Sequence, residues 1–453
     1  AEAGPPLMDT QLDVDLDLGG QSVHVGTAHF TRRGRAVTTT FTYSPTYLAR
    51  PDAYAVDPAL PLDVGRGHTT GLPGAFADSA PDRWGRRLIE KAWAGPASIS
   101  EVDYLAGVSD HSRQGALRYR RPGEPGYIAA GHDIPRLVDL GRLLHASDQL
   151  AGAGRHHDVE EMHAVRELLD VGGTTLGGAR PKASVIDADG ALSIAKFPHP
   201  GDEWDVMAWE KTALDLAERA GLDVPARHLT KVDGRSVLIL RRFDRDGATR
   251  LGYASAMTLT GLSDGDPADY LDLAAAIADH SNQPDADLAD LWRRIAVFTA
   301  IHNIDDHFRN HGFLHSPGGW ALAPAFDVNP NPDPNKARAT SISGATSSTE
   351  EREALLEAAP YFGLTADQGA EELTQVHAVT ASWRTVAASN GIPEHELRMF
   401  ADVLPAPPGG GNPGSARRSA TLQAGALNLP ATPVDRTSLP PDATPPSAGP
   451  IGF

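Results

Sequence analysis

Asn303-Ile304-Asp305-Asp306-His307-Phe308-Arg309-Asn310-His311-Gly312-Phe313-Leu314, followed by Ala323-Pro324-Ala325-Phe326-Asp327-Val328-Asn329-Pro330, carries more chemistry than any other part of this chain. A carboxylate at Asp305 can accept the proton of an attacking hydroxyl, the work of a general base. The carboxamide oxygen of Asn310 and the carboxylate of Asp327 are hard oxygen donors of the kind Mg²⁺ takes. An acidic residue, an asparagine five positions on and a second Asp beyond a turn are what a phosphotransferase needs against MgATP. Between them, Gly312-Phe313-Leu314-His315 and Trp320-Ala321-Leu322 are short apolar runs joined by Ser316-Pro317-Gly318-Gly319. That pattern predicts a hairpin, which would return Asp327 toward Asp305.

An isolated Asp-Asp-His triplet more often opens a polar loop after an apolar run such as Ile295 to Ile301. A second constellation upstream argues against that plain reading here. Gly172-Gly173-Thr174-Thr175-Leu176-Gly177-Gly178-Ala179-Arg180-Pro181-Lys182 precedes Ala183-Ser184-Val185, a turn at Asp189-Gly190, and Leu192-Ser193-Ile194-Ala195-Lys196-Phe197. Glycine clusters let backbone N–H groups approach and cradle phosphates. A strand-borne lysine soon after such a loop is the usual point charge for nucleotide phosphates. In a chain with 45 Gly such clusters also arise in ordinary turns, so the order of the parts supplies the specificity. Glycine loop, Lys196, a helix carrying Glu210, a strand ending in Arg241-Arg242-Phe243-Asp244, the Asp305/Asn310 loop and Asp327 follow the chain order of a protein-kinase-like fold. No Walker A pattern is present.

The run Thr175 to Val185, the Ala195-Lys196-Phe197 strand, Arg242-Phe243-Asp244-Arg245, the Asp305 to Asn310 loop and Phe326-Asp327-Val328-Asn329-Pro330 resemble the HipA family of bacterial toxin–antitoxin serine/threonine kinases. In the N-terminal third, Ala75-Phe76-Ala77-Asp78-Ser79-Ala80-Pro81-Asp82-Arg83-Trp84-Gly85-Arg86-Arg87 and Gln114-Gly115-Ala116-Leu117-Arg118-Tyr119 are similar to that family's amino-terminal subdomain, so the resemblance spans most of residues 8 to 403. It implies an α+β, protein-kinase-like two-lobed fold of the HipA type, with an N-terminal α+β subdomain and a mostly helical C-terminal lobe. It also implies an ATP- and Mg²⁺-dependent serine/threonine protein kinase in which Asp305 is the catalytic base, Asn310 and Asp327 hold magnesium and Lys196 meets the ATP phosphates. Arg242, Phe243 and Asp244 would form the linker against the adenine. Thr174, Thr175, Gly177, Gly178, Lys182, Glu210 and His307 complete the expected ATP site. Thr175, or Thr174, stands where these toxins carry an autophosphorylated serine. Arg241 stands where some members have a carboxylate, so hinge contacts carry over through backbone rather than side chain. The family's partners are protein substrates, aminoacyl-tRNA synthetases among them, and a small helix-turn-helix antitoxin that supplies the DNA contact.

Composition agrees with this picture. A net charge of −19 argues against nucleic-acid binding by the chain alone, since phosphate neutralisation requires clustered Lys and Arg. The absence of cysteine excludes disulfides and thiolate metal sites. No stretch is apolar for long enough to span a membrane, and Ala1-Glu2-Ala3-Gly4-Pro5-Pro6 shows neither a basic segment nor an apolar core of an export signal, so a cytoplasmic location is expected. His302, His307 and His311 with Asp305 and Asp306 could be drawn as a hydrolase metal cluster, but their spacing matches no zinc signature and leaves Lys196 and the glycine loop unexplained. A weakly catalytic nucleotide-binding regulator acting through a DNA-binding partner is the alternative from another functional class.

Composition shifts suggest an N-terminal subdomain over residues 1–125, a kinase N-lobe over 126–245, a helical C-lobe over 246–403 and a Pro- and Gly-rich tail over 404–453. The tail has too few large apolar residues to offset its ordering entropy and reads as disordered. Predicted helices run from Pro81 to Ala94, Trp209 to Ala220, Tyr270 to His280, Leu288 to His302, Glu350 to Ala359 and Ala366 to Ser389.

Overall fold

The strand β9, Arg235–Arg241, shows how the middle of the molecule is layered. Its central residues Val237, Leu238, Ile239 and Leu240 are all buried. Successive side chains of a strand point to opposite faces, so an unbroken apolar run requires cover on both. Val237 and Ile239 join a core with Leu143 and Leu144 of the helix Leu140–Gly152. Leu238 and Leu240 join the opposite core with Leu214 and Ala217 of the helix Val206–Arg219. This computed structural model describes residues 10–33, 36–93, 98–129, 134–152, 163–165, 168–169, 178, 180–316 and 318–406. The proposed tail falls almost wholly outside those residues.

The first sheet is antiparallel, in the order β4-β3-β2-β1-β5, from Thr10–Leu18 (β1), Gln21–Arg33 (β2), Ala36–Tyr43 (β3), Arg66–Thr70 (β4) and Leu117–Arg120 (β5). Leu12, Val14 and Leu16 alternate onto its core face with Phe41, Phe76 and Tyr119. The register slips opposite Val14 and Asp15, where Val25 is the extra residue of β2, so β1 keeps its alternation through the bulge. On the opposite face Asp15 is buried and accepts from Arg120 Nε at 2.8 Å and from Tyr127 Oη at 3.0 Å, with His24 Nδ1 at 3.1 Å and Ser22 Oγ at 3.4 Å. Burial alone would raise its pKa, but the His24 and Arg120 bonds hold it down to about 2. A carboxyl depressed from its unfolded value of about 3.9 contributes stability that is present above that value and is lost as pH falls toward the folded one. We therefore expect urea midpoints to drop between about pH 4 and pH 2 less steeply in Asp15→Asn than in wild type, as unfolding curves across that range would report.

The second sheet, order β6-β7-β9-β8, combines Lys182–Ile186 (β6), Leu192–Lys196 (β7), Arg227–Val232 (β8) and β9. Arg245–Asp246 (β10) pairs with Thr249–Arg250 (β11), and a further sheet joins Tyr253–Ser255 (β12) to the hairpin Gly312–Ser316 (β13) and Gly319–Leu322 (β14). The remaining lobe is helical around Leu291, Trp292, Ile295 and Phe298. Its helix Pro284–Ala300 starts earlier than periodicity suggests because Pro284 is preset for the first turn. The long helix predicted from Ala366 to Ser389 is two, Ala366–Thr380 and Trp383–Ser389. At the break, Thr380 Oγ1 donates to Val376 O at 2.8 Å and Ser382 Oγ to Val379 O at 2.7 Å, so side chains compete for the carbonyls of the last turn. Among the described residues no helix is long and apolar enough to cross a membrane.

Candidate active site

β7 ends in Lys196, and the helix Val206–Arg219 presents Glu210 to it. Lys196 Nζ lies 2.6 Å from Glu210 Oε1 and 2.8 Å from Asp327 Oδ1. One ammonium is thus shared by two carboxylates, with Glu210 fully enclosed and the Asp327 side chain 22% exposed. Burial opposes the charge on Lys196, but the Asp327 and Glu210 carboxylates outweigh it and hold the ammonium above its ordinary value. Asp327 is likewise carried against its burial by Lys196, down to about 2. Burial pushes Glu210 up, and its Oε2 has no partner among the described residues. Asp327 is the less enclosed of the two carboxylates. It adopts a left-handed φ of 56°, a conformation that Asp tolerates better than most residues and that concentrates at functional sites.

The two adjacent acids of the Asp305-Asp306 pair separate completely. Asp306 is buried, accepting from the Tyr270 hydroxyl and paired with His311 Nε2 at 2.8 Å, and its carbonyl accepts from Thr340 Oγ1 at 2.5 Å. Asp305 is exposed. Arg338 Nη1 donates to Asn303 O at 2.9 Å while its Nε meets Glu351 at 3.0 Å, and Asn329 N donates to Asn303 Oδ1 at 3.0 Å. The segment after Asp327 thereby braces the loop that bears Asp305. Arg309, inside that loop, meets Asp264 at 3.0 Å and Asp78 at 3.7 Å.

Asn310 Nδ2 donates to Asp305 O at 3.3 Å, which leaves Asn310 Oδ1 buried without a partner among the described residues. A buried acceptor in that condition costs free energy unless a ligand or water satisfies it. Asn310 Oδ1, the Asp327 carboxylate and the likewise unpartnered Asn329 Oδ1 are oxygens of the type magnesium takes. His307 is half-buried, with Nδ1 also without a partner. Among the described residues no group of three or more His, Cys, Asp and Glu could hold a metal ion. His302 instead contacts Asp333 O at 2.9 Å and His311 is bound to Asp306, so the hydrolase cluster does not assemble.

Of the glycine-rich segment, Gly178 is described, while Thr174, Thr175 and Gly177 lie outside the described residues. Gly178 has φ 91°, and a Cβ there would lie 3.5 Å from both Asp327 Oδ2 and Lys182 Nζ. The exit of the segment therefore sits over Lys196's partner. Lys182 is buried and contacts Asp82 Oδ2 at 2.5 Å. Sequence motifs give Asp82 no role, because its partner is remote along the chain.

The side chains of Arg242 and Asp244 are bound to each other and to residues 112–115, which leaves the backbone for the hinge contact expected of this segment. Arg242 Nε and Nη2 bond Asp244 at 2.8 and 2.5 Å, and its Nη1 and Nη2 reach Ser112 O and Arg113 O at 2.5 and 3.2 Å. Asp244 also accepts from Gly115 N at 2.8 Å, so the pair ties residues 242–244 to residues 112–115. Truncating one member of a fully buried pair leaves an uncompensated charge. Asp244→Ala should destabilise the protein by about 3 kcal/mol in denaturant unfolding. Phe243 lies with its ring 5.4 Å from that of Phe326, beside Asp327, and remains available as an apolar wall.

Residues 18–120 match the model of the HipA N-terminal domain, and residues 174–383 that of the HipA-like C-terminal domain. Among solved structures, HipA of Shewanella oneidensis MR-1, in a complex with HipB and operator DNA, superposes at a TM-score of 0.64 with 15% identity, over 86% of this chain and 94% of its own. CtkA, a proinflammatory kinase of Helicobacter pylori, aligns at a TM-score of 0.33 and 17% identity, over 48% of this chain and 93% of its own. No curated protein sequence matches the chain. The mixed helix-and-sheet architecture is the kinase-like HipA fold. With an amino-terminal and a carboxy-terminal HipA domain following each other in one chain over that fold, the protein belongs to the HipA family.

Proposed function

We propose that this chain is an ATP- and Mg²⁺-dependent serine/threonine protein kinase of the HipA toxin type. The observation that carries the reading is the sharing of Lys196 between Glu210 and Asp327, with the unsatisfied Asn310 Oδ1 on the neighbouring loop. Glu210 orients the Lys196 ammonium toward the phosphates of a bound nucleotide, the role of the helix-borne carboxylate in kinases. Asn310 and Asp327 would hold magnesium, which supplies charge neutralisation on the phosphate oxygens when bound. Asp305 takes the proton from the hydroxyl of the protein substrate as that oxygen approaches phosphorus. Asp306, tied to Tyr270 and His311, fixes the loop so that Asp305 needs little reorganisation to reach it.

The HipA of Shewanella oneidensis is found with HipB and operator DNA. By that likeness we assign this chain a small helix-turn-helix partner, with DNA contact made by the partner, as the net charge of −19 favours. An aminoacyl-tRNA synthetase is the family-based candidate substrate, Thr175 or Thr174 the candidate autophosphorylation site, and the cytoplasm the proposed location. Incubating purified protein with radiolabelled ATP, magnesium and a bacterial lysate tests the reading. Label should appear on the chain itself or on a lysate protein and should vanish in Asp305→Asn. Tight MgATP binding without any transfer would favour a nucleotide-binding regulator instead.

A further inference from the structure

Lys182 opens β6 and pairs in register with Lys196 on β7. Residues directly opposite on antiparallel strands project to the same face, and like charges in that arrangement repel. Both lysines are buried, Lys182 at 1% and Lys196 at 5% exposure. Two enclosed ammonium groups side by side require separate counter-charges, and they have them. Lys196 has Glu210 and Asp327, from the kinase lobes. Lys182 has Asp82, from the N-terminal unit, at 2.5 Å, and it also donates to Gly178 O at 3.2 Å. Trp84 Nε1 adds a second tie from the N-terminal unit, donating to Lys182 O at 3.2 Å. Asp82 itself is anchored, since its Oδ1 caps the helix Arg83–Ala92 by accepting from Gly85 N at 2.7 Å.

We propose that Asp82 is a positioning residue of the nucleotide site, holding the Lys182 ammonium beside Lys196 at the exit of the glycine-rich segment so that the N-terminal unit sets the affinity for a polyphosphate. The inference rests on the kinase reading above. Asp82 gives the enclosed Lys182 ammonium a counter-charge and a fixed position before any phosphate arrives. A polyphosphate is the ligand that two adjacent ammonium groups suit, as each is a compact point charge for an anionic oxygen. Without Asp82, the Asp327 carboxylate across Gly178 becomes the competing partner, and Lys182 is drawn onto a group assigned to magnesium.

The test is direct calorimetric titration of MgATP into the full chain, with thermal midpoints recorded alongside. Asp82→Asn keeps the helix cap, since Asn caps as well as Asp, but removes the charge. It should weaken MgATP binding about tenfold with little change in midpoint, and Asp82→Glu should recover most of the loss. Lys182→Met should weaken binding to a similar extent, and the double variant Asp82→Asn/Lys182→Met should bind no worse than Lys182→Met alone, because Asp82 acts only through Lys182. Wild-type affinity in Asp82→Asn, or additive losses in the double variant, would overturn the proposal and leave the kinase reading standing. If Asp82→Asn does not fold, the comparison of Lys182→Met with the double variant, whose buried pair is fully neutral, decides in the same way. Failure of the wild-type chain to bind MgATP at all would overturn both.

Discussion

Asp305→Asn should lower phosphotransfer by about 10³-fold while the MgATP dissociation constant stays within about threefold of wild type. The side chain is exposed at the site and makes no contribution to the buried network beneath it, so its amide replacement removes a proton acceptor and little else. Single-turnover rates together with calorimetric affinities would separate the two quantities. The adjacent acid provides the contrast. Asp306→Asn disturbs the buried bonds from Tyr270 and His311 and should lower stability as well as activity. Retention of near-wild-type turnover in Asp305→Asn, or a loss explained by weaker nucleotide binding, would remove Asp305 from the chemistry.

Asp327→Ala should cut kcat/KM by about 10³-fold, equivalent to about 4 kcal/mol, and should also abolish the benefit of magnesium. Asp327 is both a proposed metal ligand and a counter-charge for Lys196, and these two roles have opposite consequences for ATP alone. Losing the ligand weakens the magnesium complex, whereas losing the carboxylate leaves Lys196 with only Glu210 and more available to phosphate. The affinity measured with magnesium and the affinity measured with a chelator should therefore converge in the variant and differ clearly in wild type. A magnesium enhancement that survives the substitution would show that the metal is held by other residues.

Much of this arrangement was legible in the chain because it is local. The β13–β14 hairpin follows from Ser316 to Gly319 between two apolar runs, and it explains how Asp327 returns toward the loop bearing Asp305. Lys196 and Glu210 are separated by one turn region and the first turns of a helix, so their meeting follows from a strand end and a helical face. Long-range pairing left no such trace. Asp82 and Lys182 are far apart in the chain, and neither the glycine cluster nor the Pro81-Asp82-Arg83-Trp84 run signals that they meet. The bonds of Arg242 and Asp244 are hidden for a related reason. Whether their side chains face a ligand or the N-terminal residues depends on the carbonyls of Ser112 and Arg113, which carry no side-chain signature. The break between Ala366–Thr380 and Trp383–Ser389 was hidden because neither Gly nor Pro marks it and hydroxyl back-bonding to carbonyls does the work instead.

In a kinase of this type Lys196, Asn310, Asp327 and Asp305 must serve one metal–nucleotide site. A crystal structure of the full chain with a non-hydrolysable ATP analogue and Mn²⁺, read through the anomalous signal of the metal, addresses that requirement. The predicted result is a metal peak bound by Asn310 Oδ1 and an Asp327 carboxylate oxygen, Lys196 against the phosphates, and the terminal phosphate turned toward Asp305. A nucleotide seated elsewhere on the chain, or a metal held without Asn310 and Asp327, would contradict it.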